Sequence, residues 1–137
     1  MNDVRAFVDT NVLVYLYSDV DLSKQERAFW ALIKYDCQIS TQVINEFNNV
    51  CIRKWKAPKE DILRAIKRIC LYCGVAYIFE DTIQKALGIH EKYMYSYYDS
   101  LVIASALEHN CKYLFTEDMA DGQVIESRLT IQNIFAG

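Results

Sequence analysis

An α/β domain with a mostly parallel central sheet is what this sequence predicts, because short apolar runs alternate with longer stretches of helical periodicity along its 137 residues. Two further observations agree. No repeat, low-complexity segment or linker interrupts the alternation, and the one proline, Pro58, falls where a helix would start between two helical stretches. A chain of this length can bury a sizeable core without disulfide or metal support, so residues 1–137 are expected to form a single domain.

The elements are expected in the following order. Residues 4–8, apolar apart from Arg5, read as a buried strand, followed at once by a short helix over 11–17. Ser23 is placed to cap a second helix running to about Tyr35. A brief strand over 37–40 leads into a helix over 41–55, where Val43, Ile44, Phe47, Val50 and Cys51 form one apolar stripe. The next helix spans 58–72 and is expected to stop at Gly74, a residue that accepts the left-handed conformation of a helix end. Aromatic and β-branched content predicts a strand over 75–79. Helical spacing returns over 81–93 and in the almost wholly apolar stretch 98–109. Residues 112–115 form another strand, Asp121-Gly122 signals a turn, and 124–131 is expected to hold one final short strand.

The hydrophobic fraction of 53% and charged fraction of 24% describe an ordinary soluble protein, and no apolar run approaches the ~20 residues of a membrane span. The opening MNDVRAFVDT has neither the basic start nor the long apolar stretch of a signal peptide, so a cytoplasmic protein is expected. Five cysteines (Cys37, Cys51, Cys70, Cys73 and Cys111), odd in number and mostly scattered, suit reduced thiols. Cys70 and Cys73 form one C-x-x-C, but it closes a helical stretch instead of opening one, and only His90 and His109 are available to complete a zinc site. Small core residues are the expected reading. The net charge of −3 gives no general attraction to nucleic acid, yet seven of the fifteen basic residues lie between Arg53 and Arg68, opposed only by Glu60 and Asp61. Such a patch could track a phosphate backbone, and a solvated helix face is the alternative.

Four acids are distinguished by where this topology puts them. In a parallel α/β sheet the helices that leave the strands begin at the strands' carboxyl edge, where such sheets bind their ligands. Asp9 directly follows the first strand, Glu46 lies early in the helix after the second, Asp99 opens a helix, and Asp118 follows the strand 112–115. Each has an ordinary explanation: Asp9 and Asp99 as helix caps, Glu46 as a boundary residue beside Val43 and Val50, Asp118 as a turn residue. None of these explains why all four collect at one edge. Packed carboxylates raise one another's pKa unless a cation neutralises them, and hard oxygen donors select Mg²⁺ or Mn²⁺ over zinc. The chemistry such a centre supports is phosphodiester hydrolysis.

The motifs that carry these acids resemble those of a known family. Phe7-Val8-Asp9-Thr10-Asn11-Val12-Leu13 is similar to the opening motif of PIN-domain ribonucleases. Asn45-Glu46-Phe47, Tyr98-Asp99-Ser100-Leu101 and Thr116-Glu117-Asp118-Met119 resemble the second, third and fourth acidic motifs, in order and approximate spacing. Asp121-Gly122-Gln123-Val124-Ile125 and then Leu129-Thr130-Ile131-Gln132-Asn133-Ile134-Phe135 are similar to the end of VapC-type toxins of bacterial toxin–antitoxin pairs. The resemblance implies a three-layer α/β/α sandwich and a Mg²⁺-dependent endoribonuclease, with Mn²⁺ as a substitute. It also implies an RNA substrate, commonly a homodimer, and a cognate antitoxin whose C-terminal segment covers the groove and the acidic site.

By motif, Asp9 and Asp99 would be direct metal ligands, Asp118 would complete the metal cluster, and Glu46 would orient water or bind a second ion. Thr10, Asn11 and Thr116 would support the acids through hydrogen bonds. Glu117 is not expected to join them, since neighbouring residues near a strand end point different ways. Asp121 stands where many relatives carry histidine; it either binds metal or shapes the turn, and the turn is favoured.

In this setting Arg53, Lys54, Arg64, Lys67 and Arg68 would guide an RNA strand, the last three sharing one helical face. Tyr93, Tyr95, Tyr97 and Tyr98 closely precede Asp99 and could stack unpaired bases, although core or dimer packing is expected for most of them. A haloacid-dehalogenase-like phosphatase is the first rival, weakened by Asn11 at the position where its opening Asp-x-Asp motif puts the general acid. A receiver domain would need paired acids near its first strand. The second rival is an inactive PIN fold that binds RNA or a partner without cleaving, and retention of all four acids speaks against it.

Overall fold

The first strand, β1 (Arg5–Val8), is apolar on both faces, and Ala6, Phe7 and Val8 are wholly buried, as a strand in the middle of a parallel sheet must be. The computed structural model describes residues 4–136. Residues 1–3, part of the opening stretch read above for a signal peptide, and Gly137 lie outside the described residues. After β1 come α1 (Thr10–Leu16), α2 (Leu22–Lys34), β2 (Asp36–Ser40), α3 (Thr41–Arg53), α4 (Lys59–Tyr72) and β3 (Cys73–Ala76). The chain then forms α5 (Glu80–Tyr93), α6 (Tyr97–Glu108), β4 (Tyr113–Phe115), β5 (Val124–Ile125) and β6 (Leu129–Gln132).

The sheet runs β3-β2-β1-β4-β6-β5, and every neighbouring pair is parallel except β5 with β6. It lies in a three-layer α/β/α sandwich, with α5 and α6 packed as one pair and α1 packed against α2 and α3. The strand order reverses beside β1: the chain builds outward through β2 and β3, then returns to lay β4 on the other side. That reversal is the switch point at which open α/β sheets leave a crevice. Residues 100–107 of α6 are buried without a break, which explains why its sequence is apolar all round. Among the described residues, no helix is long and apolar enough to cross a membrane.

Several expected boundaries move, each for a local reason. α1 begins at Thr10, because the Asp9 carboxylate accepts the Thr10 N–H and starts the helix one residue early. The cap of α2 is Asp21 and not Ser23; its carboxylate accepts the Lys24 N–H at 3.1 Å. Gly74 does not end α4. The chain passes from Tyr72 straight into β3, and Gly74 sits inside that strand opposite Gln38 of β2. The Gln38 side-chain amide lies over Gly74, and a side chain added there would have to push it aside. β3 accordingly ends at Ala76, not at residue 79 as expected, leaving Tyr77 and Phe79 exposed in a loop. The stretch 124–131 holds two strands instead of one, turned back on each other at Glu126 and Ser127, both left-handed at φ 51° and 59°. Neither residue is a glycine, which hid the turn. Cys37, Cys51, Cys73 and Cys111 are buried, whereas Cys70 is exposed on α4.

The shifted cap is directly testable. Asp21→Ala should destabilise the protein by about 1 kcal/mol in urea unfolding, while Ser23→Ala should stay within about 0.5 kcal/mol. The opposite ranking would return the cap to Ser23.

Candidate active site

The parallel pairing of β1 with β4 sets Val8 beside Phe115, and the Asp9 N–H extends the ladder by donating to Phe115 O at 3.0 Å. The two strands therefore deliver Asp9 and Thr116 to the same point at the switch. Asp9 is 7% exposed, and both its oxygens are engaged. Oδ1 accepts the Thr10 N–H and Oδ2 accepts the Thr116 hydroxyl, each at 2.8 Å. Burial pushes its pKa up to about 6, the charges of Glu46 and Asp99 add to the rise, and the bonds from Thr10 and Thr116 oppose it.

Thr116, itself buried, relays the contact onward. Its Oγ1 accepts from Asn11 Nδ2 and from the Asp118 N–H, both at 3.2 Å. Asn11 also donates to Asp118 Oδ2 at 2.9 Å and accepts the Glu117 N–H at 3.3 Å. The first turn of α1 thus clamps the loop that leaves β4. Glu46 lies on the exposed side of α3, and its Oε1 accepts the Thr10 hydroxyl at 2.9 Å. Asp99, half-buried in the first turn of α6, follows the cap Ser96, whose Oγ accepts the Asp99 N–H at 3.1 Å. Burial raises its pKa, Asp118 adds to the rise, and Ser96 opposes it.

The structure therefore links the four acids electrostatically, Asp9 with Glu46 and Asp99, and Asp99 with Asp118. Among the described residues, no group of three or more histidine, cysteine, aspartate or glutamate side chains is gathered closely enough to hold a metal ion. None of the ion pairs among the described residues neutralises any of the four acids. A buried acid with a raised pKa, facing other carboxylates with no lysine or arginine paired to them, is a donor set suited to a hard divalent cation that keeps part of its water shell.

Glu117 turns away from the group. Tyr15 Oη donates to its Oε1 and Lys24 Nζ to its Oε2, both at 2.6 Å. Against the raising effect of partial burial, these bonds hold the Glu117 carboxyl below the usual range. This cluster was invisible in the sequence, because its members lie far apart along the chain and follow no spacing rule. Asp121 is exposed in a turn, where its carboxylate accepts the Asn133 N–H at 2.8 Å. Arg53 and Lys54 stand exposed at the end of α3, and Arg64, Lys67 and Arg68 are exposed on α4. Arg64 pairs with Asp61, and Arg68 lines a cavity of about 410 Å³ together with Tyr17, Phe29, Leu32 and Ile69.

The tyrosines divide. Tyr93 donates to Glu126 at 2.7 Å, and Tyr95 bonds Gln123 and the Ala120 N–H. Tyr97 packs against the small cluster of Ala86, Leu101 and Ala104, whereas Tyr98 is 64% exposed.

A switch-point crevice edged by carboxylates defines a class of α/β proteins with acidic sites. The chain belongs within it to the PIN domain family, whose sequence profile matches residues 6–120. Solved structures agree in fold. A toxin–antitoxin complex from Klebsiella pneumoniae is 21% identical, with 94% of this chain and 97% of that one aligned at a TM-score of 0.72. VapC20 of Mycobacterium tuberculosis, described as a sarcin-ricin-loop-cleaving toxin, is 18% identical over 80% of this chain and 86% of its own, at 0.63. VapBC2 of Rickettsia felis, bound to a DNA fragment from its promoter, is 14% identical over 95% and 100%, at 0.68. No curated protein matches the chain by sequence.

The raised pKa of Asp9 has a signed consequence. Between the unfolded value of 3.8 and about 6, the folded state holds a proton that the unfolded state releases, so cation-free protein loses stability as pH rises through that window. Asp9→Asn removes the burden. In chelator at pH 7 it should unfold about 1–3 kcal/mol later than the parent, with the difference shrinking toward pH 4. A variant less stable than the parent at pH 7 would show that the hydrogen bonds to Asp9 outweigh its burial.

Proposed function

We propose that this protein, with residues 1–137 acting as one domain, is a Mg²⁺-dependent endoribonuclease serving as the toxin of a toxin–antitoxin pair. The observation that carries the reading is the hydrogen-bonded line Asp9–Thr116–Asn11–Asp118 at the switch point, with Glu46 and Asp99 electrostatically coupled to it. Asp9, Asp99 and Asp118 would hold the cation, with Mn²⁺ as a substitute. When bound, a divalent ion polarises the scissile phosphate and lowers the pKa of a water.

The chain's own groups do the rest. Thr116 and the Thr10 amide fix the two Asp9 oxygens, and Asn11 fixes Asp118. Glu46, exposed and steadied by Thr10, is free to orient an attacking water and take its proton. Lys24 and Tyr15 keep the Glu117 carboxylate out of the crevice, so that phosphate meets fewer uncompensated charges. Arg53, Lys54, Arg64, Lys67 and Arg68, all exposed, would serve as a diffuse attraction for the RNA backbone.

Family membership and the fold shared with toxin–antitoxin proteins support the biological role. Phe29, Ile33, Leu71 and Tyr72 on α2 and α4 are exposed and would seat an apolar antitoxin segment. Ile83 and Leu87 on α5, with Phe79, would face a second copy in a homodimer.

Purified protein is expected to cleave single-stranded RNA with Mg²⁺ or Mn²⁺ and to stop in excess chelator. Asp99→Asn should abolish cleavage with an unchanged circular dichroism spectrum, and Thr116→Val should lower it about 10–100-fold. Full activity in chelator or in Asp99→Asn would overturn the reading. Induced expression should arrest growth with the parent chain and not with Asp99→Asn; growth arrest by both would separate toxicity from cleavage.

A further inference from the structure

Beside the acidic crevice lies a second, unassigned cleft. It measures about 390 Å³ and is lined by Thr41, Gln42, Asn45, Glu46, Ile78 and Tyr98. We propose that this cleft binds one unpaired nucleobase of the RNA strand, stacked on Tyr98 and read along its edge by Asn45. The inference rests on the ribonuclease reading above and specifies how that site would take its substrate.

Position is the first argument. Glu46 is a wall of the cleft and a member of the coupled acid group, while Tyr98 precedes Asp99 directly in α6. A nucleotide whose base sits on Tyr98 therefore presents its backbone to the acids. Exposure is the second. Of the four tyrosines ahead of Asp99, three are engaged or half-buried, and only Tyr98 offers a free ring. Tyr97 supports that ring edge-to-face at 5.4 Å.

Chemistry is the third argument. The lining holds no lysine or arginine and does hold a carboxylate, so it suits an uncharged, flat, partly apolar group and not a phosphate. Gln42 Nε2 donates to Tyr98 O at 3.2 Å and to Glu46 at 3.5 Å, tying the two walls together. Both partners are acceptors, which fixes the amide orientation and leaves Gln42 Oε1 buried without a hydrogen-bond partner. That oxygen is closed to solvent, so Gln42 shapes the wall, and the exposed Asn45 amide, which can both donate and accept, is left to read a base edge. The volume falls in the ~300–1,000 Å³ range of small-ligand pockets.

The test uses a short single-stranded RNA carrying one 2-aminopurine, whose fluorescence falls when the base stacks. Asp99→Asn protein in Mg²⁺ should quench it. Adding Tyr98→Ala should weaken binding about tenfold and remove the quench, Tyr98→Phe should restore both, and the same RNA in a duplex should not quench. In the cleaving parent, Tyr98→Ala should raise KM about tenfold and change kcat less. Equal binding with and without the Tyr98 ring, or failure of Tyr98→Phe to rescue, overturns the proposal. So does a change of mass in analytical ultracentrifugation with RNA binding intact, which would make this face a contact between copies. Tyr98-dependent quenching in a protein that never cleaves RNA would sink the nuclease reading and leave the base site standing. Cleavage indifferent to Tyr98 would do the reverse.

Discussion

Parallel pairing between β1 and β4 places the ends of two strands more than a hundred residues apart in sequence at one point, and the site depends on that register. Val8 beside Phe115 brings Asp9 level with Thr116, whose hydroxyl then reaches both Asp9 and, through Asn11, the loop bearing Asp118. A slip of one residue would turn Asp9 to the opposite face of the sheet and break the line. Burial of Ala6, Phe7, Val8, Leu114 and Phe115 on both faces keeps the pair in the core, and the bonds from the Asp9 N–H to Phe115 O and from Thr116 to Asp9 mark its register.

The electrostatics pull the other way. An acid as buried as Asp9 is disfavoured in its charged form, and its neighbours are also acids. The fold tolerates this by giving each Asp9 oxygen a donor, neutral in both cases, so the carboxylate is oriented without its charge being cancelled. The contrast with Glu117 is informative. That side chain, next to Asp118 in sequence, meets Lys24 and is compensated within the protein. Two adjacent acids thus have opposite electrostatic fates, one left available and one taken out of play.

How much of this the sequence disclosed follows from the kind of force involved. Burial on both faces leaves apolar runs, so β1, β4 and α6 were legible, as was the parallel topology that sends helix starts and strand ends to one edge. Boundaries fixed by a single side chain were not. Asp21 and Ser23 are both good caps two residues apart, and only the bond to Lys24 decides between them. Gly74 looked like a helix stop because its real partner, Gln38, lies on another strand. At the site, the acids were found through topology and motif, whereas the contacts that order them were partly hidden. Thr10, Asn11 and Thr116 came from resemblance, and the Lys24–Tyr15–Glu117 cluster had no signal at all. Of the tyrosines ahead of Asp99, exposure singles out Tyr98, a property that composition does not encode.

The strand order carries a consequence for how the molecule comes into being. β1 emerges first from the ribosome and can pair with β2 early, but its other neighbour, β4, is synthesised only after α6. Thr116, Asp118 and the parallel contact of β4 with β6 follow still later. Asp9 therefore waits for Thr116 until β4 has been made, while its bonds to the Thr10 and Val12 N–H groups are available locally from the start. Domains fold as units once their long-range pairings close. The acidic crevice is among the last features to assemble, which keeps an incomplete nascent chain without a formed site.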